Sequence, residues 1–375
     1  MPEFQPFLME RFMSKHEKDV EYNLSESGVH PISLRDLLAG DPGQVELLLS
    51  SVLDYPHANG TPELRQRIAA LYQGAHAENV LVTVGAAEAN YVAIHTLLSA
   101  GDEIAIMLPN YMQIWGIAKN SGIRIREFHL SEPDGWALDT DELRESVTSK
   151  TKLIAICNPD NPTGHILTHE EMDLIIAAAD RVGAWILADE VYSGAERLTD
   201  HETPSFYGRY NRVIAAGSLS KAYGLPGLRI GWAVGPPDTI DEIWARHEYT
   251  TISATMLSNR LAAIALSPEV RPHLIRRARD YIRDGYAEFD RWVERHKETF
   301  SMTPPAASAI AFPRYHLDLN STAIAERLRQ EKGVLIVPGD HFGFDHHLRI
   351  SFGLPHDYLI PALDRIHDLI SQLIG

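Results

Sequence analysis

Between positions 80 and 234 the chain repeats one pattern: a short β-rich apolar run, a loop of small or polar residues, then a segment of helical periodicity. The apolar runs fall at 80–84, 103–108, 123–128, 152–157, 185–188, 212–216 and 230–234. Helical patterns lie between several of them, from 86 to about 98 and at 115–121, 140–147 and 168–181. Strand–helix alternation at this spacing argues for a mainly parallel sheet covered by helices on both faces. Residues 236–297 read as predominantly helical. The last stretch alternates differently, with strands expected at 309–314, 334–337 and 348–352 and helices at 322–330 and 356–374. The expected architecture is therefore α/β: a large domain over 41–280 with a seven-stranded sheet, and a smaller α+β domain from 1–40 and 281–375.

A length of 375 residues suffices for two substantial cores, and 45% hydrophobic with 23% charged residues is ordinary for a soluble globular protein. A net charge of -17 argues against nucleic-acid and anionic-membrane surfaces, which need clustered Lys and Arg. The basic cluster at 276–279 reads as a solvated helix face. Cys157 is the one cysteine, closing an apolar run, so it reads as a buried structural thiol. Acidic Glu3 and Glu10 and the lack of a long apolar core speak against a signal peptide, and no stretch approaches the ~20 apolar residues of a membrane span. A cytoplasmic protein is the simplest expectation. None of the histidines has HExxH spacing, and His341, His346 and His347 read as loop residues, so no metal is expected.

The chemistry centres on Ser218-Leu219-Ser220-Lys221, where a buried strand opens into a tight polar loop. Lysine held there is partly desolvated, which disfavours its charged form and leaves a nucleophilic amine. One reading is a lysine that forms a Schiff base with an aldehyde cofactor; the other is a surface lysine after a strand. Upstream, Asp189 ends an apolar run, Gly85-Ala86-Ala87 opens a helix whose N-terminus suits a phosphate, and Thr61-Pro62-Glu63 marks a helix start.

Asn158-Pro159-Asp160-Asn161-Pro162-Thr163-Gly164, Asp189, Tyr192, Ser218-Leu219-Ser220-Lys221 and Arg229, in this order, resemble the fold-type I pyridoxal-phosphate enzymes, specifically the class I/II aminotransferases. The likeness runs from about Leu24 to Arg349, and it implies an aspartate-aminotransferase-like fold. It also implies roles. Lys221 would bind the pyridoxal 5'-phosphate and move a proton, Asp189 would pair with its ring nitrogen, and Asn161 and Tyr192 would serve its phenolic oxygen. Gly85, Ala86, Ala87, Ser218, Ser220 and Arg229 would hold its phosphate, and Tyr111 would stack on its ring. Two alanines stand where some family members carry Ser or Thr, leaving only backbone donors there. Glu88 would then have to point away from the phosphate. Tyr55, in a Tyr-x-x-x-x-Gly stretch, would reach the phosphate of an opposite subunit, implying a homodimer. Gly28, Asn161 and Arg349 would meet the substrate, Arg349 at its α-carboxylate.

The activity implied is transfer of an amino group between an amino acid and a 2-oxo acid. The alternative is another reaction on the same scaffold: elimination, replacement or cyclisation. Ser25-Glu26-Ser27-Gly28-Val29 resembles the capreomycidine-synthase branch, which cyclises a hydroxylated arginine. A cofactor-binding transcription regulator is disfavoured, because residues 1–22 are too short for a helix-turn-helix; they suggest one helix or an arm lying on a neighbouring subunit. Glu26, two residues before Gly28, is expected to disfavour acidic amino donors.

Overall fold

The structure is a computed structural model that describes residues 4–38 and 41–374. Among these, one sheet has eight strands in the order Val80–Thr83, Gly231–Val234, Val213–Ser218, Trp185–Asp189, Thr151–Cys157, Glu103–Leu108, Arg124–Ser131, Ala137–Leu138. Seven of them are the expected strands. The eighth, Ala137–Leu138, pairs antiparallel with the end of Arg124–Ser131. At two residues it is too short to show any periodicity. From Val213–Ser218 across to Arg124–Ser131 every pairing is parallel. Gly231–Val234 alone runs antiparallel to both neighbours.

Strand period sorts the apolar runs onto two faces. Ile104, Ile106, Leu153 and Leu187 pack with Ala89, Val92 and Ala93 of helix Ala86–Leu97. Ala105, Met107, Ile154 and Ile156 pack on the other side with Met172 and Ile175 of helix His169–Val182. Each fully buried aliphatic side chain contributes about 1.5–3 kcal/mol. Both faces being covered explains why these strands read as continuous apolar runs rather than alternating ones. Caps set the helix starts: Thr61 accepts from Leu64 N–H ahead of Pro62, and Thr168 and Glu171 form a capping box.

The C-terminal part builds a three-stranded antiparallel sheet from Ile310–Ala311, Leu348–Ser351 and Val337–Pro338. The strands expected at 309–314 and 334–337 are each divided in two. Pro313 has no N–H for a ladder, so Arg314–Tyr315 turns away to pair with Phe300–Ser301. Val334–Leu335 pairs in parallel with Tyr22–Asn23, and the chain changes partner after Ile336. This pairing ties the N-terminal segment to the C-terminal part. Helix Arg271–Arg295 runs through position 280 without a break, and residue 40, the other expected limit, lies outside the described residues.

One surface expectation is corrected. Arg279 is buried, and its guanidinium meets the buried Glu196 at 2.6 Å. Position 279 faces the core rather than solvent, and the local sequence hides this because its acid lies 83 positions away. His347 is likewise buried, stacked on Phe312 at 4.7 Å with Nε2 3.1 Å from Glu132. Among the described residues no helix is long and apolar enough to cross a membrane, and no cluster of three metal-ligating side chains occurs.

Candidate active site

The parallel strands end on one side of the sheet, where ligands of open α/β sheets bind. Asp189 and Ser218 are the last residues of their strands, and Lys221 follows three residues after Ser218. The Lys221 side chain makes no hydrogen bond or ion pair among the described residues; its carbonyl accepts from Val29 N–H. Burial pulls its ammonium below the ordinary value; the charges of Glu26 and Glu10 oppose that shift, while those of Arg349 and Arg229 add to it. Loop residue Gly28 lies against it. A Cβ at Gly28 would stand 2.9 Å from the Ser220 carbonyl oxygen and 3.4 Å from Lys221 Cα, so a side chain there would push the loop off the lysine.

Asp189 is buried, and burial raises its pKa. Its Oδ2 accepts from Asn90 Nδ2 at 2.9 Å and its Oδ1 from Val191 N–H at 3.3 Å. The next residue, Glu190, is also buried; desolvation pushes its carboxyl up to about 7, although Phe206 N–H and Ser205 Oγ both donate to it.

The turn expected to hold a phosphate is built by close approaches. Gly85 has φ +77°, and a Cβ there would lie 2.4 Å from Arg229 Nη2. A Cβ on Gly231 would lie 2.2 Å from the Ala86 nitrogen. Ala86 and Ala87 open helix Ala86–Leu97, so their N–H groups have no intrahelical acceptor. Ser218 Oγ and Ser220 Oγ stand 3.0 Å apart, and Arg229 Nη1 reaches Ser220 Oγ at 3.4 Å. These donors converge with a cation at a helix N-terminus, which is an anion cradle. Glu88 does not enter it: its carboxylate accepts from Val84 N–H, Thr250, Thr251 and His247. Burial opposes its charge, yet those donors hold its pKa at about 2.

Arg349 is 1% exposed. Its Nη1 donates to Asn161 Oδ1 at 3.2 Å and its Nη2 to the Ser25 carbonyl, while Nε has no partner among the described residues. Asn161 thereby keeps its amide N–H groups free to donate. The Tyr192 hydroxyl, beside Ser27, is buried without a hydrogen bond of standard geometry, and burial raises its pKa. Tyr111 donates its hydroxyl to Glu10 Oε1 at 2.6 Å.

Glu10 belongs to helix Leu8–His16, which lies over the site of its own chain. The sulfurs of Met9 and Met13 sit 3.4 and 3.6 Å from the Arg349 guanidinium nitrogens. Sequence reasoning missed Glu10, Met9, Met13, Asn90 and Gly231. Only Asn90 carried a local signal: an amide on the buried, otherwise apolar side of a helix, where Asn is a poor helix former. Tyr55 is not brought to the site; it is 85% exposed in this single chain.

A cofactor with an anionic phosphate, an aldehyde, a phenolic oxygen and a cationic ring nitrogen fits these groups. The cradle would take the phosphate, Lys221 in its uncharged form would be the nucleophile, Tyr192 and Asn161 offer unpartnered donors, and the desolvated Asp189 carboxylate would gain a cation. Such a fit, on this sheet, defines a pyridoxal-phosphate enzyme with the aspartate-aminotransferase fold. The sequence model for the family "Aminotransferase class I and II" matches residues 43–366, and the chain belongs to that family.

Capreomycidine synthase of Streptomyces vinaceus is 31% identical over 98% of this chain and 93% of its own length. A pyridoxal-phosphate-dependent aminotransferase from Streptococcus suis superimposes with a TM-score of 0.93 at 29% identity, covering 99% of both chains. The pyridoxal-phosphate-dependent cyclase OrfR superimposes with a TM-score of 0.87 at 27% identity, over 99% of this chain and 98% of its own. Pyridoxal phosphate is the cofactor.

Proposed function

We propose that this enzyme transfers the amino group of an amino acid to a 2-oxo acid. The observation that carries the proposal is Arg349, a fully buried guanidinium with no carboxylate partner among the described residues and one unpartnered N–H. Burial depresses its pKa, and a buried cation without an anion is costly. An α-carboxylate supplies that anion, since a guanidinium presents a planar fork that matches it. With the carboxylate at Arg349, the amine and Cα of the substrate face Lys221.

Pyridoxal phosphate supplies an electron sink for the pair left on Cα. Burial destabilises the Lys221 ammonium, so its amine would be ready to accept the Cα proton and to deliver it two atoms along, past the substrate nitrogen, at the cofactor's C4′ carbon. Asp189 keeps the ring nitrogen cationic, and Asn90 fixes the carboxylate's direction. Tyr192 and Asn161 orient the cofactor through its phenolic oxygen. Helix Leu8–His16 excludes water by laying Met9 and Met13 on Arg349.

A second reading is cyclisation or elimination of the amino acid, favoured by the likeness to capreomycidine synthase and to the cyclase OrfR. Incubation with an α-¹⁵N-labelled amino acid and a 2-oxo acid separates the two. Transamination places the ¹⁵N of a labelled donor on the 2-oxo acid, whereas cyclisation or elimination removes water or ammonia and leaves the 2-oxo acid unchanged. Mass spectrometry showing no label transfer with any donor overturns the aminotransferase reading.

The working unit is proposed to be a homodimer. Leu49, Val52, Leu53 and Tyr55 are 76%, 72%, 79% and 85% exposed, an apolar strip that favours burial against a second copy, with Tyr55 donating to its cradle. Sedimentation is expected to give a dimer at micromolar concentration; a fully active monomer contradicts this.

A further inference from the structure

Two carboxylates from the N-terminal segment flank the substrate region, and the reaction proposed above uses neither. Glu10 is half-buried on helix Leu8–His16, tied to the Tyr111 hydroxyl at 2.6 Å. The residues before and after it in the helix repeat, Met9 and Met13, touch Arg349, so Glu10 is anchored next to the carboxylate site. Glu26 is exposed on the loop that packs over Lys221 and lines a cavity of about 620 Å³ together with Lys221, Ser220 and Gly28.

Neither carboxylate has an ion-pair partner among the described residues. Lys18 shares the Glu26 cavity, but it is largely exposed and lies 3.5 Å from Glu17. Asp357 on the same cavity adds a third negative charge. The negative charge of both glutamates is felt at both site cations, raising the pKa of Lys221 and of Arg349 against the effect of burial. When an amino acid brings its own carboxylate to Arg349 and its nitrogen to the cofactor, one anion partly neutralises those cations, and the field of Glu10 and Glu26 is left facing the substrate side chain. An acidic side chain there meets like charge at close range; an apolar one desolvates carboxylates without pairing them; a cationic one completes both.

We propose that Glu10 and Glu26 act together as specificity residues that select an amino acid with a cationic side chain, receiving its guanidinium or ammonium group. The proposal rests on the reading of Arg349 as the α-carboxylate site. It goes beyond that reading in naming the side-chain class and the two residues that choose it. The apolar thioethers over Arg349 keep the α-carboxylate contact dry, and the half-open glutamates keep the side-chain contact selective.

The test titrates the holoenzyme with L-arginine, L-lysine, L-norleucine and L-glutamate, following the cofactor's visible absorbance and, independently, calorimetric heat. Norleucine matches the lysine stem without its charge. Arginine or lysine is expected to bind at least tenfold more tightly than norleucine, with glutamate weakest. Glu10→Gln keeps an acceptor for Tyr111, and Glu26→Gln lies on an exposed loop, so both are expected to fold. Each is expected to lower the ratio of cationic to norleucine affinity at least fivefold, whatever happens to the absolute values. Glu26→Lys should shift preference toward glutamate. Equal binding of all four amino acids, or a ratio unchanged in both Gln variants, overturns the acidic pair while leaving the Arg349 reading intact. Binding of none of the four overturns both.

Discussion

Lys221→Ala is expected to fold as well as the native protein and to lose turnover by roughly 10²- to 10⁴-fold from proton transfer alone. The loss grows further if covalent attachment of the cofactor also speeds its exchange with the substrate amine. The folding half of the expectation follows from the site. Lys221 spends its side chain in a desolvated position without a hydrogen bond or ion pair among the described residues, so alanine removes a destabilised charge and no contact that holds the loop. The loop is held by others: Val29 N–H to the Lys221 carbonyl, Ser220 N–H to Ser218 Oγ, and Leu225 N–H to the Leu219 carbonyl. A thermal midpoint equal to or above the native one, with steady-state turnover reduced as stated, is the expected pair of results. Borohydride reduction of the native holoenzyme followed by peptide mapping should leave the cofactor on Lys221. Label on another lysine, or a Lys221→Ala enzyme within tenfold of native activity, removes Lys221 from its role.

What the sequence makes legible and what it hides differ by physical cause. Strand ends are legible because a continuous apolar run must stop where the sheet stops, and the candidate site residues Asp189, Ser218 and Lys221 sit at or just after those stops. Helix starts are legible because Thr61 and Thr168 satisfy backbone donors within three residues. The partners of Asp189 and Tyr111 are not legible. Asn90 and Glu10 reach them across 99 and 101 positions; the apolar side of its helix marks Asn90 as out of place but not what it will face, and Glu10 carries no mark at all. Gly231 is hidden for another reason: its lack of a side chain matters only because the Ala86 nitrogen comes within 2.2 Å of where a Cβ would be. The short strands of the C-terminal part are set by partner changes at Pro313 and Ile336, which a run of apolar residues does not announce.

The second large effect is expected at Asp189. Asp189→Asn keeps the side chain's shape and loses the charge proposed to hold the cofactor's ring nitrogen in its cationic form. Removing one partner of a buried ion pair costs about 3–5 kcal/mol, or roughly 10²- to 10⁴-fold in rate when the pair is needed in the transition state. The phosphate cradle at Gly85, Ala86 and Arg229 is untouched, so cofactor binding should weaken far less than turnover. Stability supplies an independent reading with a definite sign. Burial raises the Asp189 pKa in the cofactor-free protein, so the uncharged form is favoured there. Its contribution to stability is full below the ordinary carboxylate range and is lost as pH rises through the raised folded value. Asparagine does not titrate. Without cofactor, the thermal midpoint of Asp189→Asn relative to native should therefore climb as pH rises above about 4. With cofactor bound, the native carboxylate has its cation and that advantage should shrink or reverse. Asp189→Glu, which keeps the charge at a displaced position, should retain more activity than Asn. A variant that turns over within tenfold of native, or whose midpoint tracks the native one at every pH with and without cofactor, rules out a charged Asp189 paired with the ring.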